Sequence, residues 1–245
     1  MDFPEHQNLM YKPLFWNENL FNELKNLATD SYYEETCFAI KDGKLHTLKN
    51  VSKNKELSFY LSDEDSKFVY QSDGFIHTHV NGVSIEPSDH DIKTQISVGI
   101  PFGICTVTKD SCSDVLWFGD GALEVPLIER PFIHGVYDCY SLCRSYYYQK
   151  HNTLIPDYPR QNGWWENGEN LYEENFKNAG FEEVNDLKEG DAFLMKLTKS
   201  IGVFHHAAIY LGEEQILHHL TGRLSRVDKL SQWGRFIGKT VRYSK

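Results

Sequence analysis

Apolar residues Leu20, Phe21, Leu24 and Leu27 recur at helical spacing through NENLFNELKNLATD, with Asn17 and Asn19 as candidate caps. The pattern predicts an amphipathic helix. TCFAIKDGKLHTLKNV then alternates apolar and polar positions about Asp42-Gly43, a pair suited to the left-handed backbone of a two-residue hairpin turn. FVYQSDGFIHTHV reads as a strand carrying His77 and His79, and PSDHDIKTQISVGI as a helix entered through Pro87 and Ser88. FGICTVT and DVLWFG read as closing strands.

Periodicity fails in GDGALEVPLIERPFIHG, where Gly and Pro gather, and this marks a linker. The expected division is a first domain over residues 1–118, a linker over 119–134 and a second domain over 135–245. In the second domain DCYSLCRSYYYQKH and LYEENFKNAGF read as helices, with Gly180 near the end of the latter. GDAFLMKL, HHAAIYLG, EQILHHL and RFIGKTVRY read as successive strands. The second half is helix first and sheet after, the first half mixes helices and strands, and the whole reads as an α+β class with two domains.

Composition narrows the picture. The 245 residues are 40% hydrophobic and 14% aromatic, which supplies packed cores and argues against disorder. A net charge of −10 with no Lys/Arg-rich run would repel a phosphate backbone, so nucleic acid is excluded as a partner class. The first twenty residues lack a basic segment followed by an apolar core, and no apolar run reaches about 18 residues. The expectation is a chain folded in the cytoplasm without membrane insertion. Five cysteines, Cys37, Cys105, Cys112, Cys139 and Cys143, show neither disulfide-scaffold nor zinc-ribbon spacing, so most are expected to be reduced.

His77 and His79, two apart on a strand, present both imidazoles to one face, and Asp91, on the first turn of the following helix, can return a carboxylate beside them. Three protein ligands with a fourth position open is the pattern of catalytic zinc, which acidifies water toward neutral pH. His-x-His alone also suits a polar strand. Extended by Ser88-x-x-Asp91, the motif resembles the signature of the JAMM metalloproteases, whose members include deubiquitinating enzymes and phage tail proteins. The resemblance implies a general base near the first strand, at Glu35 or its neighbour Glu34, and Ser88 as a hydrogen-bond donor to a developing oxyanion. Phe38 stands where relatives commonly have Gly, and His90 reads as a solvated helix-start residue.

Cys139 opens the helix DCYSLCRSYYYQKH, where the unsatisfied amides of a helix N-terminus are expected to lower its pKa and favour the thiolate. Cys143, one turn later, fits a small core residue, as do Cys105 and Cys112. His206 begins one predicted strand and His218 lies on the next, across the turn at Gly212-Glu213-Glu214. They supply a base and an orienting group for a thiol nucleophile. Gly-x-x-Asp-Cys-Tyr-Ser-Leu with His-Ala-Ala-Ile-Tyr-Leu-Gly and Leu-His-His is similar to the NlpC-type papain-fold peptidases, which cut amide bonds of cell-wall peptides. Their usual Asp-Cys-Ser-Gly reads Asp-Cys-Tyr-Ser here, and their upstream tyrosine has no match, Tyr137 being too close. His205 and His219 are expected on the opposite face, satisfied or solvated, and Trp164-Trp165 as a stacking platform or as packing under a loop.

The two halves in this order resemble the K family of bacteriophage tail assembly proteins. That resemblance implies assembly in the host cytoplasm, a place at the tail tip, other tail-tip proteins as partners, and peptide-bond hydrolysis of cell-wall peptides or of a tail protein. The alternative is a structural tail-tip component whose peptidase folds serve binding.

Overall fold

The computed structural model describes residues 10–245. The expectation that the first residues lack a signal peptide concerns a segment that falls partly outside this range. The described chain forms two compact units, Met10–Ala122 and Leu123–Lys245, each with its own sheet.

In the first unit, helix α1 (Glu18–Asp30) starts where the Asn17 side chain accepts the Leu20 N–H, and it buries Leu20, Leu24 and Ala28. Leu27, expected on the same stripe, is largely exposed. Strands β1 (Cys37–Lys41) and β2 (Lys44–Leu48) pair antiparallel about Asp42 and Gly43. Both turn residues have positive φ, at 52° and 69°, the backbone that the Asp-Gly pair predicts. Helix α2 (Asp63–Val69), capped by Ser62, occupies residues that the apolar pattern assigns to the following strand. That strand, β3 (Gly74–His79), begins only at Gly74. Phe68 and Val69 are apolar because they close a short helix, not because they continue a strand.

Helix α3 (Asp89–Val98) follows, then β4 (Phe102–Thr106) and β5 (Leu116–Phe118). The sheet order is β2-β1-β3-β4-β5, with β3 and β4 parallel and the crossover between them made by α3. Alternation along β3 divides its side chains. Ile76 joins Trp16, Leu24, Phe38 and Trp117 in one core, while Phe75 and His77 face the opposite way, against Phe59.

In the second unit, Arg130 lies fully buried in the stretch read as a linker. Its guanidinium donates to the carbonyls of Val125 and Pro126 and to Ser145 Oγ, so that segment is tied to the unit's interior. Helix α4 (Cys139–His151) follows, then the short α5 (Leu171–Asn175). The periodicity predicts a longer helix here; the chain instead turns at Gly180, where a Cβ would lie 2.8 Å from the Tyr243 ring.

The sheet comprises β6 (Phe181–Glu183), β7 (Ala192–Met195), β8 (His206–Tyr210), β9 (Gln215–His218), β10 (Arg226–Lys229) and β11 (Ile237–Tyr243). Its order is β10-β9-β8-β7-β11-β6, and every pairing is antiparallel. Leu194, Ala207, Ile209 and Leu217 pack with Leu142 and Tyr147 of α4. Phe193, Met195, Ala208 and Ile216 form the core of the other face, with Trp233 of helix α6 (Leu230–Trp233) packed against them. Strands β6 and β10 escape the hydrophobic pattern because both are short, polar edges.

Candidate functional site

The first constellation assembles around β3. Thr36 N–H donates to Thr78 Oγ1 and Thr78 N–H to the Thr36 carbonyl, fixing the approach to β1 against the strand that carries both histidines. His77 and His79 are buried, with their Nε2 atoms 3.1 Å apart. Asp91 is brought to them by a capping box: Ser88 Oγ accepts the Asp91 N–H, while Asp91 Oδ2 accepts from Ser88 N–H and Oγ. Asp91 Oδ1 then lies 3.3 Å from His77 Nε2, and Oδ2 lies 3.8 Å from His79 Nε2. One helix start therefore gathers the three groups, and Ser88 is committed to capping it.

Electrostatics separate the two glutamates. Glu34 pairs with Lys55 at 3.0 Å on the surface. Glu35 is buried, and burial pushes its carboxyl up to about 7, with His77 opposing and Asp91 adding to the shift. Burial works against ionisation of Asp91 as well, but His77 and the Ser88 hydrogen bonds hold it well below the carboxylate range. Burial and His77 lower the pKa of His79. His90 is not part of this group; its ring lies against Phe59 and Tyr60.

The donor set suits a divalent ion. One ligand atom each from His77, His79 and Asp91 lie within 4.8 Å of one another. His79 Nδ1 sits 2.5 Å from the Ser84 carbonyl, so Nδ1 carries the proton and Nε2 turns a lone pair toward its neighbours. Two imidazoles with one carboxylate are the ligand types that zinc accepts.

Cys139 and His206 of the second constellation line a cavity of about 150 Å³. Cys139 stands at the first position of α4, behind an N-cap, Asp138, whose carboxylate accepts the Ser141 N–H at 2.8 Å and the Gly135 N–H at 3.0 Å. Arg160 closes on the same carboxylate, with Nε 2.7 Å from Oδ2, and it also donates to Ser141 Oγ and the Gly135 carbonyl. Burial raises the Asp138 carboxyl, but Arg160 and His134 outweigh it and hold the group well below the usual range.

Cys139 departs from the expectation of a lowered pKa. Burial first, and the Asp138 carboxylate second, push its thiol up to about 11, outweighing the opposing hydrogen bonds from Tyr172 and the Ala207 backbone and the charge of Arg160. Tyr172 Oη lies 3.3 Å from the sulfur. This tyrosine lies downstream of the cysteine in the chain. Its place on a five-residue helix with no distinctive motif left no signal in the sequence.

His206 shares the cavity wall with Cys139. Its Nε2 lies 3.3 Å from His218 Nδ1, joining the two predicted histidines across the β8–β9 hairpin. Burial and the neighbouring imidazoles, His218 foremost, lower the His206 pKa well below its ordinary value. His205 accepts the Leu197 N–H on Nε2 and is satisfied. His219 is buried against Phe132, with its pKa lowered by burial to about 4. Trp164 is buried and Trp165 half-buried, and both line the cavity.

Residues 129–239, which include Cys139, His206 and His218, match the NlpC/P60 family. Over 229 residues the chain is 31% identical to tail tip assembly protein K of Escherichia phage N15, covering 88% of this chain and 90% of that one. The chain belongs to the tail tip assembly protein K family. Tail tip assembly protein K of Escherichia phage lambda is 33% identical over 167 residues, 65% of this chain and 76% of its own. A solved NlpC/P60 family protein from Bacillus cereus aligns with 93% of this chain and 67% of its own at 14% identity; the TM-score of 0.34 is too low to bear on the fold. Among the described residues, no helix is long and apolar enough to cross a membrane.

Proposed function

We propose that this protein is a tail-tip assembly factor that hydrolyses amide bonds at Cys139, with a second, metal-dependent site at His77, His79 and Asp91. The observation that carries the first site is the imidazole chain: a thiol at a helix start and a neutral His206 on one cavity wall, with His218 behind. With both groups neutral, His206 takes the thiol proton as sulfur attacks the carbonyl carbon, then gives it to the departing amine. Water next attacks the thioester, returning a proton to the thiol and releasing the acid. The Tyr172 hydroxyl, held beside the sulfur, is placed to donate to the developing oxyanion.

At the second site, Glu35, His77, His79, Ser88 and Asp91 resemble the JAMM pattern. Zinc bound there would supply Lewis acidity and lower the pKa of water toward neutrality. Glu35, with its carboxyl near 7, is suited to take and return a proton at physiological pH. The ligands and the Ser84 carbonyl behind His79 support this assignment.

Family membership supports other phage tail proteins as partners and the host cytoplasm or the tail tip as its place. The substrate is a peptide, either of the cell wall or of another tail protein. Incubating wild type and Cys139→Ala with defined muropeptides and with tail proteins tests the thiol site. Cleavage lost only in Cys139→Ala is the expected result. No cleavage of either substrate by wild type would favour a purely structural tail-tip role.

A further inference from the structure

The chain of groups behind Cys139 does not end at His218. His218 Nε2 lies 3.1 Å from Asp228 Oδ2, on the edge strand β10, one strand beyond the two that carry the histidines. The same oxygen receives Arg226 Nε at 3.2 Å, Arg226 Nη2 at 2.9 Å and Trp233 Nε1 at 3.1 Å. The Trp233 ring also stands edge-on to His218, with centroids 4.4 Å apart. Asp228 is thus fixed from two sides while it faces the imidazole.

We propose that Asp228 is a positioning residue that selects the tautomers of both histidines, making the site a four-membered series from Cys139 through His206 and His218 to Asp228. The inference rests on the thiol-site reading above. A carboxylate oxygen 3.1 Å from an imidazole nitrogen requires a proton between them, so His218 carries hydrogen on Nε2. In neutral His218, Nδ1 is then an acceptor, and the only hydrogen that can fill the 3.3 Å gap to His206 is on His206 Nε2. Neutral His206 therefore keeps its lone pair on Nδ1, the nitrogen left to take a proton from the thiol. Remove Asp228, and His218 is free to carry its proton on Nδ1, facing the His206 Nε2–H and turning the selection off.

The electrostatic surroundings agree. The groups around the two histidines are Asp228 and Arg226 for His218, and His205, His218 and His219 for His206. Burial lowers the pKa of both rings, and Asp228 partly offsets this for His218.

Nitrogen-15 NMR of histidine-labelled full-length protein at pH 7.5 tests this without any substrate. In wild type, His218 and His206 are expected to show protonated Nε2 and lone-pair Nδ1. A lone pair on His218 Nε2 would overturn the proposal. Asp228→Ala should give mixed tautomers at both rings, whereas Asp228→Asn, which keeps an oxygen acceptor beside Arg226 and Trp233, should restore the wild-type pattern. Iodoacetamide labelling of Cys139 should slow by about tenfold in Asp228→Ala, a part of the 10²–10⁴ that a positioned base contributes, and recover in Asp228→Asn. Unchanged tautomers and labelling in a folded Asp228→Ala would refute the role; if that variant does not fold, the wild-type spectrum still decides. Wild-type tautomers as described, together with no peptide cleavage, would sink the peptidase reading alone.

Discussion

Cys139 illustrates how burial can reverse the reading of a motif. A helix N-terminus favours a thiolate, but this sulfur sits half-buried on a cavity wall beside the charged carboxylate of its own N-cap. The thiol is raised to about 11 and His206 is lowered, so both groups on the cavity wall are neutral at rest. The resting site is therefore not a ready thiolate. Labelling of Cys139 by iodoacetamide should be slow at pH 7 and keep rising above pH 9. A rate that levels off below pH 8, as for a thiolate–imidazolium pair, would contradict this. Glu35 shows the same physics without a reversal, since burial brings a carboxyl to the pH range where it can exchange protons.

The start of α4 depends on one buried ion pair. Arg160 and Asp138 are both nearly inaccessible, and between them they hold Gly135, Ser141 and the turn that delivers Cys139. Removing the cation leaves a buried carboxylate without its partner, so Arg160→Met should cost about 3–5 kcal/mol in urea unfolding at pH 7. The pH dependence has a definite sign. The folded pKa of Asp138 is depressed, so its stabilisation is present above the unfolded value of about 3.9 and is lost as pH falls through the folded value. The gap between wild type and Arg160→Met should therefore narrow below about pH 4. A gap that stays constant to pH 2 would assign the loss to packing.

Elements with strong patterns were legible in advance. Asn17, the Asp42-Gly43 turn and the Ser88 cap all act where the sequence places them, because capping and turn chemistry are local. What escaped was non-local. Arg160 reaches Asp138 and Tyr172 reaches Cys139 from loop and helix segments without distinctive motifs, and Asp228 lies on a strand too short and polar to show alternation against its neighbours. Helix α2 was hidden because Phe68 and Val69 fit a strand pattern equally well. The histidines were visible because their type and spacing are rare; their partners were not, because Asp, Arg and Tyr are common everywhere.

Each compact unit holds one constellation, His77 with His79 and Asp91 in the first and Cys139 with His206 and His218 in the second. Among the described residues each group is drawn from a single unit, so the chemistry of the two should be separable in the full-length chain. Purified protein is expected to hold about one zinc per chain, because the site offers three ligands to a single ion. His77→Ala should lose that zinc, and since its imidazole is buried against Phe59 and Phe75, it should also lower the unfolding temperature of the metal-loaded protein. Chelation of wild type should reproduce the metal loss while leaving Cys139 labelling at its original rate. Conversely, Cys139→Ala should retain its zinc. Metal analysis that finds no zinc in wild type purified without chelator would remove the first site, and a Cys139 labelling rate that changes on chelation would show that the two chemistries are coupled.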